Sequence, residues 1–154
     1  MKLSPYEAAK KILLSEADIA NFIGPQSSEL LERVEDALNL KIIGSYREFL
    51  LTFGAGFFSG VKILGIPGDD FGNPSLLNGV SYTLTLRKEV GLPCNLLVIY
   101  NPGNGELFCL DFHQIKDDEP EIVSFMPEVG MGLQYDAIAD SFGEFLYEIV
   151  CDEF

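Results

Sequence analysis

The chain has 154 residues, with 24 acids against 10 bases and a formal net charge of −14 at neutral pH. That length predicts one domain whose core needs neither a disulfide nor a metal staple, and that charge excludes a chain whose overall field grips nucleic acid or anionic lipid. No apolar run approaches the roughly 20 residues of a membrane helix, and the opening MKLSPYEAAKK lacks the hydrophobic segment of a signal peptide, so the chain is expected in the cytoplasm.

Ser4, Pro5, Tyr6 and Glu7 set an N-cap, a first-turn proline and a capping glutamate in order, which predicts a short helix to about Leu14. Residues 15–27, ending in Gly24 and Pro25, read as a loop, after which Ser27 or Ser28 caps the next helix. Leu31, Val34 and Leu38 then recur at helical spacing, and Tyr46, Phe49, Leu50 and Phe53 form a second apolar stripe. Ser45, with Glu48 three residues on, predicts a capping box for that second helix. The glycine-rich run Gly54 to Gly60 forces a turn, and Val61 to Ile66 reads as a strand. An exposed acidic loop follows from Pro67 to Pro74.

The segment from Leu76 to Val90 alternates like a strand at Val80, Tyr82, Leu84 and Leu86, while Leu77, Val80 and Leu84 also fit a helix. Leu96–Tyr100 and Leu107–Phe112 flank the turn Asn101 to Gly105 and read as a hairpin. Glu121–Phe125 is a further strand, set off by the turn Asp117, Asp118, Glu119 and Pro120 and followed by a loop to about Asp136. Ser141 and Glu144 repeat the capping box, and Phe142, Phe145, Leu146 and Ile149 stripe a closing helix. Helices at both ends with strands between them predict an α+β fold, a single domain with a mainly antiparallel central sheet, helices packed around it.

Reaction chemistry is sparse. Cys94, Cys109 and Cys151 are odd in number and widely spaced, which predicts reduced, buried thiols. His113 is the single histidine, so no histidine cluster can hold a metal. Gly54, Gly56 and Gly60 follow a helix and precede a strand, the reverse of a dinucleotide-binding turn. Asp69 and Asp70, or the acids from Asp117 to Glu121, lack the alternating ligands of a calcium loop. No catalytic residue, cofactor or metal site is expected. Charge is the pronounced feature: residues 1–88 hold ten acids and nine bases, whereas residues 89–154 hold fourteen acids and one base, Lys116. Such a surface either solvates the protein or draws a basic partner.

The pieces together resemble the SUKH superfamily of bacterial toxin-immunity proteins and fungal cell-wall regulators. The likeness runs through Val34, Glu35 and Leu38, the YREFLLTFGAG run from Tyr46 to Gly56, the strand into Gly65, and Gly91, Leu92 and Pro93. It continues through LLVIY, the CLD of Cys109 to Asp111, EIVSF, and IADSFGEFL from Ile138 to Leu146. Two positions depart from the family habit: Gly44 stands where proline is usual and Phe53 where asparagine often precedes the glycines. The resemblance implies a helix over Gly79 to Val90, against the alternating pattern. It also implies a non-enzymatic cytoplasmic protein that holds and occludes a toxin, often a nuclease with a basic surface. The alternative it carries is a regulatory scaffold for signalling or cell-wall proteins. Partner contact is then expected at the acidic loops, Asp69 and Asp70, Asp117, Asp118, Glu119 and Glu121, and Glu128 and Asp136, with Phe71 and Tyr135 as aromatic anchors.

Overall fold

The computed structural model describes residues 3–16, 18, 20–70, 72–73, 75–126 and 136–153. Among these, the helices are α1 (Pro5–Ser15), α2 (Ser28–Leu38), α3 (Gly44–Thr52), α4 (Gly79–Glu89) and α5 (Phe142–Glu153). The strands are β1 (Ala20–Phe22), β2 (Gly56–Phe58), β3 (Val61–Ile63), β4 (Leu96–Tyr100), β5 (Leu107–Lys116), β6 (Glu119–Phe125) and β7 (Asp136–Ala139). They form an antiparallel sheet β1-β2-β3 and a second antiparallel sheet β4-β5-β6-β7. The fold is α+β, as the order of elements predicts.

Registration of the larger sheet explains its uninterrupted apolar strands. Leu97, Leu110 and Ile122 lie opposite one another, as do Val98, Cys109 and Val123, and successive side chains of a strand point to opposite faces. The first row joins the main core with Phe49, Leu50, Phe142 and Leu146 from α3 and α5. The second packs with Leu64, Leu86 and Leu92 on the other face. Both faces are covered, so LLVIY has no solvent side and shows no alternation. Rings at the centre of the main core stack closely, with Phe49 5.2 Å from Phe142 and Phe142 5.0 Å from Tyr46 between centroids.

The apolar stripes of α2, α3 and α5 are buried where helical spacing places them, apart from Ile149, which is half-buried. Ser4 accepts from the Glu7 N–H and Ser27 from the Leu30 N–H, confirming the caps of α1 and α2. At α5 the Ser141 hydroxyl accepts from the Glu144 N–H, while the Glu144 carboxylate returns to the Asp140 N–H. The expectation of a capping box at α3 is corrected. That helix begins at Gly44, its preceding residue Ile43 offers no side-chain cap, and the Ser45 hydroxyl faces another helix.

Other expectations also give way. The stretch from Ser15 to Ser27 includes β1, and the glycine run includes β2, two three-residue strands that pair with each other, β2 also pairing with β3. The strand expected over Val61 to Ile66 ends at Ile63, because Gly65 leaves the ladder to bridge Asn78. A β-carbon on Gly65 would stand 2.0 Å from the Gly54 carbonyl oxygen, so only glycine fits. β5 runs on to Lys116, and the turn narrows to Asp117 and Asp118. Asp136, expected to end a loop, instead begins the edge strand β7, Asp136–Ala139. Residues 79–89 are helical, as the family resemblance implies and the alternating pattern does not. Of the three free cysteines only Cys109 is buried; Cys94 and Cys151 are exposed. Among the described residues, no helix is long and apolar enough to cross a membrane.

Candidate functional site

The β5–β6 hairpin turns on Asp117 and Asp118, with φ of 55° and 62°. Two central residues of positive φ are the signature of a type I′ turn, whose twist suits a two-residue hairpin. Both aspartates are exposed at its tip.

The next acid points elsewhere. Each carboxylate oxygen of Glu119 accepts from the Ser45 N–H at 3.0 Å, and one also accepts from the Ser45 hydroxyl at 2.9 Å. That hydroxyl in turn accepts from the Gly143 N–H at 2.8 Å. Glu119 thus supplies to α3 the cap that its own sequence lacks, and ties the hairpin to the first turns of α3 and α5. The N-termini of α1, α3 and α5 all border this recess of about 390 Å3, and their converging dipoles favour a carboxylate there. Gly44 sits at φ +77°, and a β-carbon on it would lie 2.5 Å from a Glu119 oxygen. The usual proline, locked near φ −65°, cannot take that conformation. Gly44 and the inward-turned Glu119 are therefore one feature.

The remaining expected residues fall in separate places. Asp69 and Asp70 are exposed in the loop between β3 and α4, where the Asp70 carboxylate accepts from the Asn73 side chain. Glu121 is half-buried on β6, opposite Asp111. Asp136 is exposed and pairs with Ser124, which puts it roughly 17 Å along the strand from Glu119 at ordinary strand rise. Phe71, Glu128 and Tyr135 lie outside the described residues. The hairpin tip and the β7 edge are therefore two sites, not one patch.

Sequence reading missed a second concavity of about 500 Å3, between the first turns of α4, β3 and the turn after β4. Its walls include Leu64, Leu76 and Tyr82, with Lys62, Thr85 and Asn101 supplying polar groups. Leu76 is 77% exposed, and a leucine left outside in a turn was the one visible signal.

The groups that burial perturbs are placed to stabilise the fold. Burial pushes the Cys109 thiol up, with the Asp111 charge adding to the shift, the opposite of an activated nucleophile. It also raises the Tyr46 phenol, which donates to the Leu64 carbonyl at 2.8 Å, and pushes Tyr6 up to about 12. Among the described residues no group of three His, Cys, Asp or Glu side chains is arranged to hold a metal.

A family model described as SUKH_5, SMI1-KNR4 cell-wall, matches residues 6–151. The chain belongs to the SUKH superfamily. A solved structure described as "Crystal structure of protein from Pseudomonas syringae pv. tomato" matches this SUKH chain at a TM-score of 0.57 and 15% identity, over 77% of this chain and 83% of that one. At that identity the likeness speaks for the fold alone. In this SUKH protein Glu35 and Asp111, which carried the resemblance, are tie points between elements, and so is Arg87, which did not carry it. Glu35 accepts from the Ile42 N–H at 2.7 Å and holds the link from α2 to α3. Asp111, 2% exposed, accepts from Asn95 and from the His113 N–H where β5 departs from regular pairing with β6. Arg87 donates to the carbonyls of Leu38 and Cys94, closing the end of α2 against α4.

Proposed function

We propose that this SUKH protein is an immunity protein: it binds a secreted toxin, a nuclease, inside the cell that carries both, and inactivates it by occlusion. Family membership supports a protein partner, and the net charge of −14 supports a basic one, since a surface that grips phosphate is attracted to a carboxylate array of similar charge. The observation that carries the reading is the exposed pair Asp117 and Asp118 at a hairpin tip whose base is anchored by Glu119. A rigid arm presenting two charges speeds encounter without first having to order a loop. Asp69, Asp70 and Asp136 extend the same field, and Glu119 serves from within by setting the arm. The wording of the family model, cell-wall, favours a second reading as a scaffold for a cell-wall or signalling protein.

Two experiments test this. Cells expressing the toxin domain encoded by the neighbouring reading frame should survive when this chain is co-expressed; death at the same rate with and without it overturns the proposal. Asp117→Asn with Asp118→Asn keeps the left-handed turn, which asparagine tolerates, while removing both charges. Association with that domain should slow about tenfold at low salt and depend less on salt. Stopped-flow rates unchanged from wild type move the contact away from the hairpin.

A further inference from the structure

Resting on the protein-binding reading above, we infer that the cavity beside α4 is the anchor pocket of the docking face, and that it receives from the partner polypeptide a bulky apolar side chain lying next to a carboxylate. Its volume of about 500 Å3 falls within the range of ligand-binding clefts, and its walls are apolar with a few polar groups converging on them. Leu64 and the Tyr82 ring form the apolar lining, and the Asn101 side-chain amide holds the Tyr82 hydroxyl at 3.4 Å. At the cavity Leu76 is 77% exposed, and Phe57, the register partner of Lys62 on β2, is 41% exposed. Exposed apolar side chains beside a cavity mark a surface that another protein covers.

Charge selects the occupant. Residues 53–105, which supply every residue lining the cavity, hold three acids and three bases, so the net charge of −14 belongs to the rest of the chain. Lys62 lines the cavity and, among the described residues, forms no ion pair. The first turn of α4, which starts at Gly79 behind its Asn78 cap, adds the positive end of a helix dipole to the same wall. In a molecule otherwise hostile to anions, this is where a partner's carboxylate is tolerated, and the apolar lining beside Lys62 accommodates the side chain next to it. The partner is thus recognised twice: basic residues meet the acidic tip, and an apolar anchor with a neighbouring acid meets the neutral face.

The test uses two probes on the whole protein. N-acetylphenylalanine, which joins a ring to a carboxylate, is titrated against its neutral amide while amide resonances are followed by NMR. Shifts should centre on Leu64, Tyr82 and Thr85 with a Kd on the order of 1 mM, and the acid should bind about threefold more tightly than the amide. Lys62→Glu should abolish that preference. The toxin domain from the neighbouring reading frame is the second probe. Thr85→Trp, which fills the cavity from an exposed position of α4, and Lys62→Glu should each weaken its binding about tenfold or more while circular dichroism and the thermal midpoint stay at wild-type values. Shifts centred elsewhere, equal affinity for acid and amide, or undiminished toxin binding by Thr85→Trp overturn the inference; the last with a good titration leaves a small-molecule cleft apart from the docking face. If wild-type protein forms no complex with the domain, the immunity reading fails and the docking role fails with it, while the titration still reports what the cavity prefers.

Discussion

The recess holding Glu119 and the cavity beside α4 are built from similar parts, helix N-termini with hydroxyls around a concavity, yet they do opposite work. In the recess the donors at the starts of α3 and α5 are met from within the chain: Ser45 gives its N–H and hydroxyl to Glu119 and takes the Gly143 N–H. At the cavity Asn78 caps α4 through the Ser81 N–H, while the Lys62 ammonium forms no ion pair among the described residues. A polar cluster closed on itself stabilises the fold, and the one left open is the one proposed above to meet a partner.

This contrast breaks most sharply at Glu119. Glu119→Ala leaves two donors at the first turn of α3, the Ser45 N–H and hydroxyl, without their acceptor and should cost about 2 kcal/mol or more in urea unfolding, because bonds to a charged acceptor are the strong ones and these part-buried donors stay unpaired. A loss under about 0.5 kcal/mol would make Glu119 a surface acid like its neighbours. Gly44→Ala should cost about 2 kcal/mol by the same measurement, combining left-handed strain with displacement of Glu119.

Burial on both faces of the larger sheet supplies a pH signature. Cys109 and Tyr46 have folded pKa values raised above their unfolded ones, whose ordinary values are 9.0 and 10.0. Stability is therefore full below about pH 9 and declines as pH rises, since the unfolded chain loses protons that the folded one keeps, by about 1.4 kcal/mol per pH unit for each group engaged. Thermal midpoints between pH 7 and 11 check this, and Cys109→Ala should move the onset of the decline up by about one pH unit. The smallest effect belongs to the open cavity: Thr85→Trp and Lys62→Glu should leave unfolding free energies within about 0.5 kcal/mol of wild type, their consequence being confined to binding.

Where sequence reading succeeded, the cause of structure lay within a few residues. The stripes at Leu31, Val34 and Leu38 and at Tyr46, Phe49 and Leu50 report burial along one helix face, and the hydroxyls of Ser4, Ser27 and Ser141 report local capping. α4 was obscure because Thr83, fully buried, turns its hydroxyl to the Val98 N–H at the edge of β4, so a polar residue occupies a core position. Resemblance to the family, not periodicity, identified that helix.

Period and capping chemistry along the chain were enough for the helices flanking α4, the central hairpin and the α+β class, because each follows from neighbours in sequence. Contacts between distant residues decided the rest. β1 exists by pairing with β2, and β7 by joining the edge of the larger sheet. Glu119, at the base of an acidic turn, became the cap of a helix 74 residues away. The cavity beside α4 needed β3, α4 and the turn after β4 to meet, and no stretch of chain contains that meeting.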